Sequence, residues 1–225
     1  MPTSKVPNST GSDPISTAIR VVAFDCDGVM FNSEKANQAY YNQILGHFGL
    51  PAMTPEQFAY AHMHTVDESM AHLFTDPQDL AAAHAYRRKI KYLPFIKYME
   101  IEPHLKTLLA RLKPTYKTAV ASNRTDTMPH VLSEHGLTGM FDLVVTAMDV
   151  AHPKPHPEQL HQVVDYFNVM PENILFIGDS EVDAGAAAAA GVPLVAYGNP
   201  LLQAAYHIDS LKAVEGILGM KVGDA

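Results

Sequence analysis

The chain has 225 residues, 47% apolar and 18% charged, which suits one large globular domain or a domain with an insert. A formal net charge of −8 argues against a nucleic-acid partner, and no apolar run reaches the length of a membrane span. A single cysteine, Cys26, excludes an intramolecular disulfide and fits a reducing compartment. Residues 1–17 are rich in Ser, Thr, Pro and Asn and lack the apolar core of a signal peptide, so they read as a disordered tail and the protein as cytoplasmic. No obligate protein partner is evident.

The first element is the apolar, partly β-branched run Val21-Val22-Ala23-Phe24, which ends abruptly in Asp25-Cys26-Asp27-Gly28. It reads as a buried parallel strand emptying into a loop that Gly28 allows to turn sharply. Residues 34–46 then carry Ala36, Tyr40 and Ile44 at helical spacing. Further helices are expected near 55–62, 67–74 and 77–92, the last with Asp76 as N-cap and Pro77 at the first helical position. No strand is evident from Ala36 to about Met99. Residues 36–99 are therefore expected to form a helical cap inserted between core segments 18–35 and 100–225. Beyond the insert the pattern changes. Helices at 104–112, 127–135, 157–168, 182–190 and 210–218 alternate with strands at 117–122, 143–146, 174–177 and 193–196. Such alternation specifies parallel α/β winding.

Asp25, Ser122 and Asp179 each follow the carboxyl end of an expected strand, the edge where open α/β sheets bind ligands. Two carboxylates side by side repel unless a cation or a shared proton relieves them, and Mg2+ accepts hard oxygen ligands. Taken singly, each residue has a plainer reading. Asp-x-Asp-Gly also suits a solvated turn, Ser122 a strand-end cap, Lys154 a surface lysine, and Asp183 a first-turn helix acid. Cys26 sits between two acids, where negative potential disfavours a thiolate.

Four pieces stand in order: Asp25-Cys26-Asp27-Gly28-Val29, Ser122-Asn123-Arg124, Lys154-Pro155, and Gly178-Asp179-Ser180-Glu181-Val182-Asp183. Together they resemble the haloacid dehalogenase-like hydrolase superfamily, in its capped phosphatase and β-phosphoglucomutase-like branch, which includes phosphoglycolate phosphatase-like members. The resemblance implies a Rossmann-like α/β core with an all-helical cap, acting with Mg2+ on a small phosphorylated metabolite. It casts Asp25 as a nucleophile that becomes an aspartyl phosphate and Asp27 as general acid and base. Ser122, the Asn123 backbone and Lys154 would hold the phosphoryl group. Asp25, the main-chain carbonyl of Asp27, and Asp179 would ligate the metal, with Asp183 holding a metal-bound water or orienting Lys154. An acid at position 27 favours phosphoryl transfer over carbon–halogen or phosphonate cleavage. The rivals are a phosphomutase on the same core and a catalytically silent phosphate-binding protein.

The cap is expected to select the substrate. Its loop at 62–69 offers His64 and Thr65 but no Lys or Arg, so a second anionic group on the substrate lacks an evident clamp there. The basic run at 87–91 reads as a solvated helix face, although Arg87 or Arg88 could serve if the helix turns one inward. His62, His64, His72 and His84 lack the spacing of a zinc helix. Asn37 stands where the mutase relatives carry a histidine. The crossings near 31–35 and 98–103 are the expected hinges.

Overall fold

The computed structural model describes residues 19–63 and 66–220. The tail at 1–17 and the cap-loop candidate His64 lie outside the described residues. Among the described residues eight strands occur: β1 (Val21–Phe24), β2 (Phe31–Asn32), β3 (Glu100–Ile101), β4 (Lys117–Ala121), β5 (Leu143–Val145), β6 (Ile174–Gly178), β7 (Leu194–Tyr197) and β8 (Tyr206–Ile208). The helices are α1 (Glu34–His47), α2 (Pro55–Met63), α3 (Val66–Leu73), α4 (Pro77–Ile90), α5 (Leu105–Leu112), α6 (Met128–Glu134), α7 (Glu158–Phe167), α8 (Glu181–Ala190) and α9 (Val214–Ile217). None is long and apolar enough to cross a membrane.

Six strands form one sheet in the order β5-β4-β1-β6-β7-β8, parallel throughout. β1 is central because every one of its residues is buried, and only a strand covered on both faces can be apolar at consecutive positions. Its period of two splits the core. Val21 and Ala23 join Leu160 and Val163 of α7 and Ala186 and Ala187 of α8. Val22 and Phe24 join the leucines of α5, which are buried at 105, 108, 109 and 112. The alanines of α8 keep that helix close to the sheet. After β1 the chain builds outward through β4 and β5 on one side, then β6, β7 and β8 on the other. The strand order reverses beside β1, and the crevice at such a reversal is where this class of sheet takes ligands.

The fold is a Rossmann-like parallel-sheet core with a helical cap. The cap comprises α1 to α4 and a 3-10 turn at Leu93–Tyr98, and no strand occurs among its described residues. The two chain crossings at its base form a short antiparallel ladder, Phe31↔Ile101 and Asn32↔Glu100. The Asp76 carboxylate accepts the amides of Gln78 and Asp79 at 2.8 and 3.2 Å, an N-cap worth about 1 kcal/mol. The C-terminal region differs from expectation. In place of a helix over 210–218 there is a 3-10 turn at Leu211–Ala213 followed by the single turn of α9, and β8 adds an unexpected edge strand. Gly216 weakens helix propagation in that segment.

Candidate active site

Three neighbouring strands supply the site floor. Asp25 follows β1, Ser122 follows β4 and Asp179 follows β6, so sheet order brings residues far apart in sequence to one edge. Asp25 is fixed by its amide, which donates to the Ile177 carbonyl at 2.9 Å. Ser122 is held from both sides. Its amide donates to the Val145 carbonyl, and its own carbonyl accepts from Gln159 Nε2 of α7 at 2.8 Å.

Lys154 reaches this floor from the loop between β5 and α7. Its Nζ donates to Asp25 Oδ1 at 2.7 Å and to Asp183 Oδ1 at 2.5 Å, with the Phe176 ring beneath it at 5.3 Å. Burial opposes the ammonium charge, but the two acids outweigh it and hold the Lys154 pKa above its ordinary value. The Asn123 side chain braces the same loop, donating to the Lys154 carbonyl at 2.8 Å and accepting its amide at 3.0 Å.

The carboxylates of Asp25, Asp179 and Asp183 present oxygens within 4.8 Å of one another. Burial, reinforced by Asp25 and Asp183, raises the Asp179 pKa to about 7. Burial likewise raises that of Asp25, with Lys154 opposing. Asp25 and Asp179 thus resist ionisation together, and a cluster that offers only oxygen donors at a sheet edge fits a hard divalent cation. Two glycines make it possible. A Cβ on Gly28, whose φ is +79°, would collide with the Asp179 carboxylate, and one on Gly178 would collide with Asp183. Asp183 is already committed. Its Oδ1 takes Lys154, while its Oδ2 accepts from Ser180 Oγ at 2.6 Å and from the amides of Asp179 and Ser180. This arrangement suits an orienting group for Lys154 better than a direct ligand.

One contact has no counterpart in the sequence reading. Arg124 grips Asp27 with both Nε and Nη2 at 2.7 Å. The guanidinium is only 9% exposed, lies 5.3 Å from the Tyr92 ring centre and touches Met99 Sδ. Burial opposes its charge but Asp27 more than compensates, so its pKa is raised. Cys26 is buried, and burial with Asp27 pushes its thiol well above the ordinary range, as expected of an inert residue.

Two clefts flank the hinge ladder. One of about 720 Å3 is lined by Glu34, Glu100, Glu102 and Asp179, with no Lys or Arg among its described residues. The other, about 700 Å3, contains Asp25, Ser122 and Lys154 on its floor and Arg124 and Arg87 on its walls. The first presents acids without a cation, whereas the second sets these three cations beside the carboxylates of Asp25, Asp27, Asp179 and Asp183. The basic run at 87–91 is thus not a uniformly solvated face. Arg87 lines the cleft, whereas Arg88 is exposed.

The family model for haloacid dehalogenase-like hydrolases matches residues 22–197. The chain belongs to this family. A phosphoglycolate phosphatase from Salmonella choleraesuis (strain SC-B67) is 30% identical to this hydrolase over 205 residues, covering 79% of this chain and 80% of that protein. The pyrophosphatase PpaX of Bacillus mycoides (strain KBAB4) is 27% identical over 201 residues, covering 84% and 87%. Among solved structures, a HAD-superfamily hydrolase of subfamily IA, variant 1, from Geobacter sulfurreducens PCA is 40% identical, with a TM-score of 0.84 over 90% of this chain and 97% of that one. This hydrolase is a phosphatase.

Proposed function

We propose that the enzyme hydrolyses a small phosphate monoester through an aspartyl phosphate on Asp25, with Mg2+ bound. The observation that carries this reading is Asp25 itself. It is a buried carboxylate at the end of the central strand, with Lys154 Nζ at 2.7 Å and Ser122 and Asp179 on the flanking strand ends.

In the first step an Asp25 oxygen bonds to phosphorus as the ester P–O bond breaks, and protonated Asp27 gives its proton to the departing alkoxide. In the second, Asp27 takes a proton from water, whose oxygen attacks phosphorus and releases Asp25. Ser122 and the Asn123 backbone hold phosphoryl oxygens, and Lys154 offsets the negative charge shared by nucleophile and phosphate. Asp25, Asp179 and the Asp27 carbonyl would hold Mg2+, which supplies the positive charge that lets two anions approach. Asp183 keeps Lys154 aimed at Asp25. The helical insert at 36–99 serves as a lid on the core formed by 18–35 and 100–225.

A panel of phosphorylated metabolites with Mg2+ tests the reading. Wild type should release phosphate, EDTA should stop it, and Asp25→Asn should fall to background while keeping its fold. Turnover by a purified Asp25→Asn variant would remove Asp25 from the mechanism.

A further inference from the structure

We infer that Arg87, on cap helix α4, is the subsite for a carboxylate on the substrate, so that the preferred phosphate esters carry that group at the far end. The inference rests on the phosphatase reading above and concerns the opposite wall of the same cleft.

Three cations among its described residues line that cleft, and their charges are disposed of differently. Lys154 is enclosed by Asp25 and Asp183, and Arg124 by Asp27. Among the described residues, the ion-pair partner of Arg87 is Asp67, a long contact of Nη2 to Oδ1 at 3.5 Å with an acid whose side chain is 78% exposed. Water screens such a pair strongly, so most of the Arg87 field remains available to a ligand. The Arg87 side chain is only 26% exposed and shares the cleft wall with Tyr40, Tyr41 and Tyr92. Its positive charge works against the burial that raises the phenol pKa values of Tyr40 and Tyr41.

Helical geometry places Arg87 there. Ala83, one turn earlier on α4, is fully buried, so position 87 falls on the inward face and position 88 rotates to solvent. A planar fork on the cleft wall matches a carboxylate, which can accept two parallel N–H bonds. The phosphoryl group on the floor and an anion on this wall would together tie the lid to the core through the substrate. A neutral-tailed ester would lack that tie.

The test uses the full chain with Mg2+ and a series of phosphorylated hydroxy acids of increasing length, beginning with 2-phosphoglycolate. Each is paired with the phosphorylated diol in which the carboxylate becomes CH2OH. Wild type should prefer the acid at one or more lengths. Arg87→Gln should lower kcat/KM for those acids by about 10- to 100-fold, the value of one charge-assisted contact, and change the diol esters little. Arg88→Gln should change neither. Binding of the same ligands to Asp25→Asn, with and without Arg87→Gln, gives a readout that needs no turnover. If no ester is hydrolysed yet Arg87 still governs binding of the acids, the catalytic reading fails and the subsite stands. Equal affinity for acid and diol at every length, or an equal effect of Arg88→Gln, overturns the subsite.

Discussion

Arg124 holds Asp27 through two N–H···O bonds of 2.7 Å each, joining residues 97 apart in sequence at the mouth of the active site. A carboxylate gripped this way is an acceptor, suited to the base step, and must loosen its grip to carry a proton to a leaving group. The fork also fixes where Asp27 points. Arg124→Lys keeps the charge but not the fork, and should lower kcat by about 10-fold; Arg124→Met should cost more. Because both residues act through one carboxylate, Arg124→Met combined with Asp27→Asn should be no slower than Asp27→Asn alone. Steady-state kinetics of the four proteins decides this, and losses that multiply would mean that Arg124 acts elsewhere.

The raised pKa of Asp179 gives the proposed metal site a pH signature. That pKa of about 7 in the folded protein exceeds the ordinary 3.8, so the metal-free fold retains a proton that the unfolded chain has lost between those values. Stability from this group is therefore present at low pH and is lost as pH rises through about 7. Mg2+ should reverse the trend. The rise in Tm on adding Mg2+ should be larger at about pH 8 than at about pH 5, and Asp179→Asn should shrink the difference to the part that Asp25 contributes. Thermal unfolding with EDTA or with Mg2+ measures it. An increment independent of pH would show that Asp179 is not a ligand.

The ladder at the cap base couples both crossings. Phe31↔Ile101 and Asn32↔Glu100 tie the outgoing and returning chains, so the lid should turn as one body about these residues. Crystal structures with and without a tetrahedral phosphate analogue should differ by a rigid rotation of α1 to α4. Identical lid positions in two unrestrained lattices would contradict a moving lid.

Much of this was legible in the chain. The strands at β1, β4 and β6 are short apolar runs bounded by turn residues or acids, and their parallel winding followed from the alternation with helices. β8 was not legible. Tyr206-His207-Ile208 is three residues long and gains strand character only from pairing with β7. The ladder of β2 and β3 is shorter still. The floor of the site could be read because each member follows a strand. The Arg124–Asp27 pair could not, because local pattern says nothing about a side chain 97 residues away. The inward turn of Arg87 was readable in principle from its four-residue spacing to Ala83, but the run of basic neighbours pointed to solvent.

Asn37 motivates a test of hydrolysis against isomerisation. Its Oδ1 accepts the Tyr92 hydroxyl at 2.7 Å, linking the two ends of the cap beside the cleft. Asparagine does not titrate near neutral pH and cannot perform the role assigned to the histidine of the mutase relatives. With β-glucose 1-phosphate and catalytic glucose 1,6-bisphosphate, free phosphate should appear without glucose 6-phosphate accumulating. Isomerisation that outpaces phosphate release would make the enzyme a mutase.

The central claim is a covalent bond between Asp25 and phosphorus. Acid quenching during turnover in Mg2+, followed by peptide mass analysis, should place one added phosphoryl group on Asp25. The adduct should be lost on treatment with hydroxylamine and absent from Asp25→Asn. Rapid phosphate release with no adduct on Asp25 at any quench time, or an adduct on a different residue, would contradict the account.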